Sequence, residues 1–98
     1  MIHELKCRPE SFAALASGTK TFEIRKNDRG FTVGDLVALN EFRPDEDPYA
    51  PPSGDKPFSR SATNGSYSGR HLLFEITYIL DDRQFLSPGY VALALRRA

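Results

Sequence analysis

The chain has 98 residues, with 13 basic and 13 acidic side chains and a formal net charge of zero. This length predicts one domain, and the charge balance argues against a protein that coats nucleic acid through a broad basic surface. The single cysteine, Cys7, excludes an intramolecular disulfide and a cysteine-rich zinc site. No apolar run is long enough to span a bilayer and no signal peptide is recognisable, so we expect a soluble, cytoplasmic protein in which Cys7 is a small buried hydrophobe.

The first predicted elements are a strand and a helix. Residues 2–7 alternate imperfectly between apolar and polar side chains, which favours a short strand. Pro9 suits the first turn of a helix, Leu15 lies on its apolar face, and Gly18 can end it. We therefore expect a helix over residues 9–17 directly after the first strand.

A second strand is predicted over residues 20–26, followed by a turn. One face of this strand carries Lys20, Phe22, Ile24 and Lys26, and the other carries Thr21, Glu23 and Arg25. Phe22 and Ile24 are typical of core, so a carboxylate and a guanidinium share the opposite face. The pair indicates either the solvated face of an edge strand or charged groups that have a partner or a task.

The middle of the chain changes character after residue 42. Residues 36–42 form a nearly continuous apolar run, which predicts a strand buried on both sides. Residues 43–69 hold five of the seven prolines and no Leu, Ile or Val, which indicates an insertion between two paired strands. Aromatic residues can pack this insertion down, arginines can make it a basic flap, or it is simply a tolerated surface loop. These aromatic and basic residues are Tyr49, Phe58, Tyr67, Arg60 and Arg70.

Two further strands complete the pattern, over residues 70–80 and 90–95, with turns between them. The order is strand, helix, strand, strand, insertion, strand, strand. This order predicts an α+β, mostly β fold, in which a small, mostly antiparallel, partly closed barrel carries the helix at one end.

Several short motifs occur in an order typical of a known family. They are His3-Glu4-Leu5-Lys6, Pro9-Glu10-x-Phe12, Gly18-x-Lys20-Thr21-Phe22-Glu23-Ile24-Arg25-Lys26-Asn27-Asp28-Arg29, Val33-Gly34-Asp35, Tyr78-Ile79-Leu80-Asp81-Asp82 and Gly89-Tyr90-Val91. With these motifs the chain resembles a small bacterial and phage-associated family in the ASCH branch of the PUA-like superfamily. The resemblance covers the whole chain except residues 43–69.

The resemblance implies a single PUA-like pseudo-barrel of five to six strands over residues 1–98. It also implies a cleft between helix and barrel, lined by the strand from Gly18 to Arg25, in which ASCH domains bind RNA or a nucleotide. A few small ASCH proteins are instead amidohydrolases that remove the acetyl group from an N4-acetylated cytosine nucleoside. They use a lysine, a threonine three residues later and a distant glutamate. Lys20 matches the lysine, Glu23 occupies the threonine position, and Glu75 is the candidate for the glutamate.

Six residues are predicted to bind the ligand: Lys6, Lys20, Thr21, Glu23, Arg25 and Lys26. Lys20 offers a cation to a phosphate, Glu23 can accept from a base amino group, and Arg25 can bind a phosphate bidentately or stack on a base. If the protein is an enzyme, Lys20 and Glu23 are its catalytic pair. The structural alternatives are that Lys20 satisfies the last helix carbonyls and that Glu23 and Arg25 pair with each other.

Other polar residues carry weaker signals. His3 is interpreted as structural or merely exposed, and the alternative is that it flanks the cleft beside Lys6. Glu75 is interpreted as a solvated strand position, and the acidic pair at residues 81–82 as a turn cap. Tyr90 can stack on a base or pack in the core, and Arg29 extends a basic rim or is an exposed turn charge. No glycine-rich phosphate loop or metal-ligand spacing is visible, so we expect neither cofactor nor metal.

Three functions stay open on these residues. The first is an RNA- or nucleotide-binding module, the second a small amidohydrolase acting on a modified nucleoside, and the third a protein-interaction module built on the insertion. An open groove rimmed by arginines favours binding. A closed pocket that holds Lys20 and Glu23 in hydrogen-bond contact favours catalysis. The oligomeric state is left open.

Overall fold

The computed structural model describes residues 1–45, 60–62 and 64–98. They form one helix and six strands, and this confirms the α+β, mostly β class. The elements are β1 (Ile2–Cys7), α1 (Pro9–Ser17), β2 (Phe22–Lys26), β3 (Leu36–Pro44), β4 (Arg60–Ala62), β5 (Gly65–Leu80) and β6 (Tyr90–Arg97). No helix in this described part of the chain has the length and apolar character needed to cross a membrane.

The strands form one curled sheet, a half-barrel with the order β1-β3-β5-β6-β2, and β4 pairs with β5 off this path. The β1–β3 pair is parallel and the other pairs are antiparallel. The two edges of the main path are therefore β1 and β2, which follow one another closely in the chain. The predicted mostly antiparallel arrangement is confirmed.

The helix covers one face of the half-barrel. Pro9 opens it, Phe12 and Leu15 are buried, and Gly18 ends it in the left-handed conformation at φ +83° with its N–H bonded to the Leu15 carbonyl. On β1, alternate side chains point to the same interior, and Cys7 is buried as predicted. The core cluster includes Leu5, Phe12, Leu15, Val37, Leu39, Phe74, Ile76, Val91, Leu93 and Leu95.

The predicted core face of β2 is wrong. Phe22 and Ile24 are 48% and 52% exposed, whereas Glu23 is only 6% exposed. β2 begins at Phe22 rather than at residue 20, and among the described strands it is an edge strand that pairs with β6 alone. Hydrophobicity gives the wrong face because the buried carboxylate is matched by nearby cations, so its inward position is tolerated.

The prediction that residues 36–42 are buried on both sides is also wrong for most of β3. Val37 and Leu39 are fully buried, but the alternating positions Leu36, Ala38 and Asn40 are only partly buried. Since α1 packs on one face of the sheet, the alternation follows that single covered face. At the end of β3, Glu41 and Phe42 are consecutive buried residues.

β5 begins at Gly65, five residues earlier than predicted, and pairs with β3 as far as Pro44 opposite Gly65. The pairing confirms that the proline-rich segment connects two neighbouring strands, but it shortens the insertion and adds the sixth strand, β4. Gly65 is required here because a Cβ would lie 2.2 Å from the Arg43 carbonyl oxygen. The rest of the predicted insertion, including Tyr49 and Phe58, lies outside the described residues.

Two residues of the predicted insertion are placed by the structure. Tyr67 packs on Phe42 with ring centroids 4.9 Å apart, as expected of an aromatic anchor. Arg70 donates from Nε to Oε1 of the buried Glu41 at 2.6 Å, so the prediction of a basic flap is wrong for this residue. The side chain of Arg60 lies outside the described set.

Three weaker interpretations concern structural roles. His3 is buried and its Nε2 lies 2.7 Å from Oδ2 of Asp35, which confirms a structural role. This hydrogen bond holds the pKa of Asp35 below its usual value. Asp82 accepts the Gln84 N–H at 2.8 Å in the predicted turn. Glu75 is paired with Arg96.

Candidate functional site

A buried carboxylate organises the candidate site. Glu23 Oε1 accepts hydrogen bonds from Ser11 Oγ at 2.9 Å and from Lys20 Nζ at 2.7 Å, and Oε2 accepts from Arg25 Nε at 3.1 Å. Lys20 Nζ also donates to Ser11 Oγ at 2.5 Å. Because two cations meet one carboxylate, the cluster keeps a formal positive charge of one. It joins the first turn of α1 to β2.

The end of the helix explains how Lys20 reaches this cluster. After Gly18 the Lys20 N–H donates to the Ala14 carbonyl at 3.0 Å, so Lys20 precedes β2 and does not follow its alternation. Its side chain can therefore meet Glu23, although strict alternation would place the two on opposite faces. The backbone of Lys20 satisfies the helix carbonyl, and its ammonium group is left for Glu23.

Arg25 links the two edges of the half-barrel. Its Nη2 donates to the backbone carbonyl of Lys6 on β1, while its Nε holds Glu23 on β2. β1 and β2 do not pair with each other in the sheet. A side chain therefore bridges the opening that the sheet hydrogen bonds leave.

A groove of about 610 Å³ lies on the β1–β3–β5 side of this bridge and is called the larger cavity here. Lys6 on β1 faces Asn40 on β3, which faces His71 on β5, so the three side chains share one face of the sheet. The charged and aromatic residues of its wall are Glu4, Lys6, Arg25, Arg29, Tyr67 and Arg70. Its wall is therefore strongly basic although the whole chain is neutral.

An irregularity in β5 shapes this wall. Between the Asn40–His71 and Phe42–Tyr67 pairs, β5 carries more residues than β3, and Gly69 takes φ +90°. The extra residues bring Arg70 to the buried carboxylate of Glu41. The bulge thus turns a basic side chain toward the cavity and fixes it there.

The cations of the larger cavity differ in how they are held. Arg25 and Arg70 are each hydrogen-bonded to a buried glutamate. Lys6 Nζ instead lies 4.6 Å from the centroid of the Phe42 ring. Among the described residues, the side chains of Arg29 and His71 have no hydrogen-bond or ion-pair partner. The wall therefore combines fixed guanidinium groups with cationic or protonatable groups that remain available.

A second space of about 350 Å³, called the smaller cavity here, lies on the other side of the bridge. Lys6 and Arg25 line both cavities and so form the wall between them. The other functional groups of the smaller cavity belong to Cys7, Arg8, Ser11, Glu23, Lys26 and Tyr90. Tyr90 is 40% exposed, so of its two predicted roles core packing is wrong.

Burial raises the pKa of the Cys7 thiol from 9.0 to about 11, and the charge of Glu23 acts in the same direction. In the unfolded chain the thiol ionises near pH 9, so the native state holds the extra proton between pH 9 and 11. The Cys7 contribution to the free energy of unfolding is therefore complete below pH 9 and is lost as the pH rises through 11, by about 3 kcal/mol in all. Urea titrations of wild type and Cys7→Ala over this range measure the effect, and equal slopes against pH in the two proteins would contradict it.

The structure brings most of the predicted site residues together. Lys6, Glu23, Arg25 and Lys26 line the cavities, and Lys20 reaches them through Glu23. Thr21 does not join them: its side chain is exposed and lines neither cavity, and its carbonyl accepts the Leu95 N–H. Glu75, the candidate distant glutamate, also lines neither cavity.

Five residues around the site were not predicted to belong to it. Tyr67 and Arg70 were predicted only as parts of the insertion, and Ser11, Glu41 and His71 had no predicted role. The polar residues inside the apolar run of β3 were a usable signal, because Glu41 had to find a cation. Ser11 gave none, since a serine in the first turn of a helix is ordinary. In residues 1–45, 60–62 and 64–98, no three His, Cys, Asp or Glu side chains are grouped as metal ligands.

Comparison with family models places the chain in a family. A family model described as "Domain of unknown function (DUF3850)" matches residues 2–95. A search of curated proteins gave no match. Because the match runs through nearly the whole length, from the first residue of β1 into β6, the chain belongs to the DUF3850 family.

Proposed function

We propose that this protein is a binding module for a nucleotide unit, free or within RNA, and that the unit occupies the larger cavity of a PUA-like half-barrel of the ASCH type. The motif resemblance and the curled sheet with a helix after β1 support the fold part of the proposal. The wall of the larger cavity supports the ligand part.

The observation that carries the proposal is the set of cations in that wall. Arg25 and Arg70 are fixed in direction by buried carboxylates, so little side-chain freedom is lost when they bind a phosphate. Lys6 and Arg29 have no carboxylate partner in the described part of the chain, so their charges are available to a phosphate. The Tyr67 ring, already packed on Phe42, offers a surface on which a base can stack.

The shape of the site favours binding over catalysis. Lys20 and Glu23 are in hydrogen-bond contact, as an amidohydrolase requires, and the Ser11 hydroxyl adds a possible nucleophile. The cavities beside them are open grooves, however, and the arginine-lined groove is the larger of the two. The candidate distant glutamate, Glu75, forms an ion pair with Arg96 across the β5–β6 pair and lines neither cavity. The amidohydrolase stays a second candidate because of the Ser11–Lys20–Glu23 chain.

The test is a calorimetric titration of the four ribonucleoside monophosphates and of short single-stranded RNAs. We expect Arg29→Ala to weaken binding at least about tenfold, because a charge-assisted hydrogen bond contributes about 1.5–3 kcal/mol. Arg83→Ala, an exposed arginine in a turn that lines neither cavity, is the matched control and should bind like wild type.

Two results would overturn the proposal: no binding of any of these ligands by wild type, or equal losses in the two variants. Incubation with N4-acetylcytidine, followed by mass measurement, tests the second candidate. Release of acetate that is abolished in Lys20→Ala would favour the enzyme.

A further inference from the structure

We propose that the two cavities are neighbouring subsites of one track, and that the ligand is a single-stranded stretch of at least two linked nucleotides rather than a mononucleotide. This inference rests on the proposed function of the larger cavity and adds the second subsite. Its first support is geometric. Lys6 and Arg25 line both cavities, so the two spaces adjoin at these two side chains.

The sizes of the spaces agree with two units. The cavities measure about 610 and 350 Å³, and each falls in the range of about 300–1,000 Å³ typical of small-molecule sites. Each space is therefore large enough to take a small ligand of its own. A ligand that uses both must cross the wall between them, and its crossing group lies against Lys6 and Arg25.

The wall has the chemistry of a phosphodiester contact. A guanidinium has five N–H donors, and Arg25 uses one on Glu23 and one on the Lys6 carbonyl. Three donors remain on a group whose orientation is already set. Lys6 Nζ, held over the Phe42 ring, adds a second cation on the same wall. A negative linkage between two nucleotides is the group that these donors fit.

The smaller cavity offers selective contacts to a base. The Glu23 carboxylate has about four acceptor positions, of which Ser11, Lys20 and Arg25 take three. The remaining acceptor position, on Oε2, can accept a hydrogen bond from a base amino group. A carboxylate has no donor, so it cannot hydrogen-bond to a base carbonyl. Tyr90 adds an aromatic ring for stacking. The second base is therefore one with an exocyclic amino group, such as cytosine, in preference to uracil.

The experiment compares ligands of one and two units by calorimetry. The probes are cytidine 5′-monophosphate, the 5′-phosphorylated dinucleotides of cytidine and of uridine, and the deoxycytidine dinucleotide. We expect the cytidine dinucleotide to bind at least tenfold more tightly than the monophosphate and at least fivefold more tightly than the uridine dinucleotide. The deoxycytidine dinucleotide shows whether single-stranded DNA also binds across both cavities. Tight binding of either the ribose or the deoxyribose dinucleotide supports the proposed track.

Variants assign the subsites. Tyr90→Ala and, separately, Lys26→Ala should lower the affinity for the cytidine dinucleotide at least fivefold and leave the affinity for the monophosphate within twofold of wild type. Arg29→Ala should lower the affinity for both ligands. Both smaller-cavity residues are exposed, so the variants should fold, and melting curves check this. Equal affinities for one and two units would overturn the track and leave the proposed function standing. Failure of every probe to bind wild type would overturn both.

Discussion

Replacing Glu23 with alanine should be the most destabilising single change in the Glu23 cluster, with a loss of about 3 kcal/mol in the free energy of unfolding. Removal of one partner from a buried ion pair costs about 3–5 kcal/mol because the other charge is left uncompensated. The lower end of this energy range applies because the side chains of Lys20 and Arg25 are each 25% exposed, so solvent can partly compensate their charges. The Ser11 hydroxyl loses its acceptor at the same time. Urea denaturation followed by circular dichroism measures the loss.

Glu75→Ala is the matched control for this prediction. Its carboxylate also lies on a strand and pairs with an arginine, but the Arg96 side chain is 68% exposed. An exposed pair contributes about 0–1 kcal/mol, so the control should unfold close to wild type. If Glu23→Ala were no less stable than Glu75→Ala, the Glu23 carboxylate would not have the buried, multiply bonded environment described above.

Replacing Arg25 with alanine should weaken ligand binding at least about tenfold and also lower stability by about 1–3 kcal/mol. The affinity falls because the guanidinium of the shared wall is lost, and a charge-assisted hydrogen bond contributes about 1.5–3 kcal/mol. An arginine that only lined a ligand cleft would cost little stability when replaced. The structure changes this expectation, since Arg25 satisfies Oε2 of buried Glu23 and the Lys6 carbonyl.

The two effects of Arg25 are separable in one protein preparation. Melting curves report the stability, and titration with the cytidine dinucleotide well below the melting temperature reports the affinity of the folded variant. Arg25→Lys keeps the charge but lacks the planar set of donors. It should therefore recover part of the ligand affinity and a smaller part of the stability that the contacts to Glu23 and the Lys6 carbonyl provide. A variant that melts far below wild type and yet binds normally when folded would make Arg25 a structural residue only.

Local pattern explains why much of the fold was predictable. The alternation over residues 2–7, the proline and glycine at the ends of α1, and the turn residues before β6 each act within a few positions of the chain. The gathering of Lys20, Glu23 and Arg25 was predictable for the same reason, because all three lie within six residues. Lys6 joins them only through the placement of β1, and the motif resemblance supplied that expectation.

The remaining features depend on contacts between distant parts of the chain. The inward turn of Glu23 depends on a serine 12 residues earlier in α1, and the orientation of Arg70 depends on Glu41, 29 residues away. Thus the sequence by itself determined the order of the elements other than β4, the helix boundaries and the cluster of charges around β2. Only the tertiary structure decided which face of β2 is buried, where β5 bulges, and that Lys6 and Arg25 divide two cavities. A charged side chain is stable in the interior only if a group of opposite charge lies beside it. When that partner is far along the chain, strand pairing rather than local sequence pattern brings it into place.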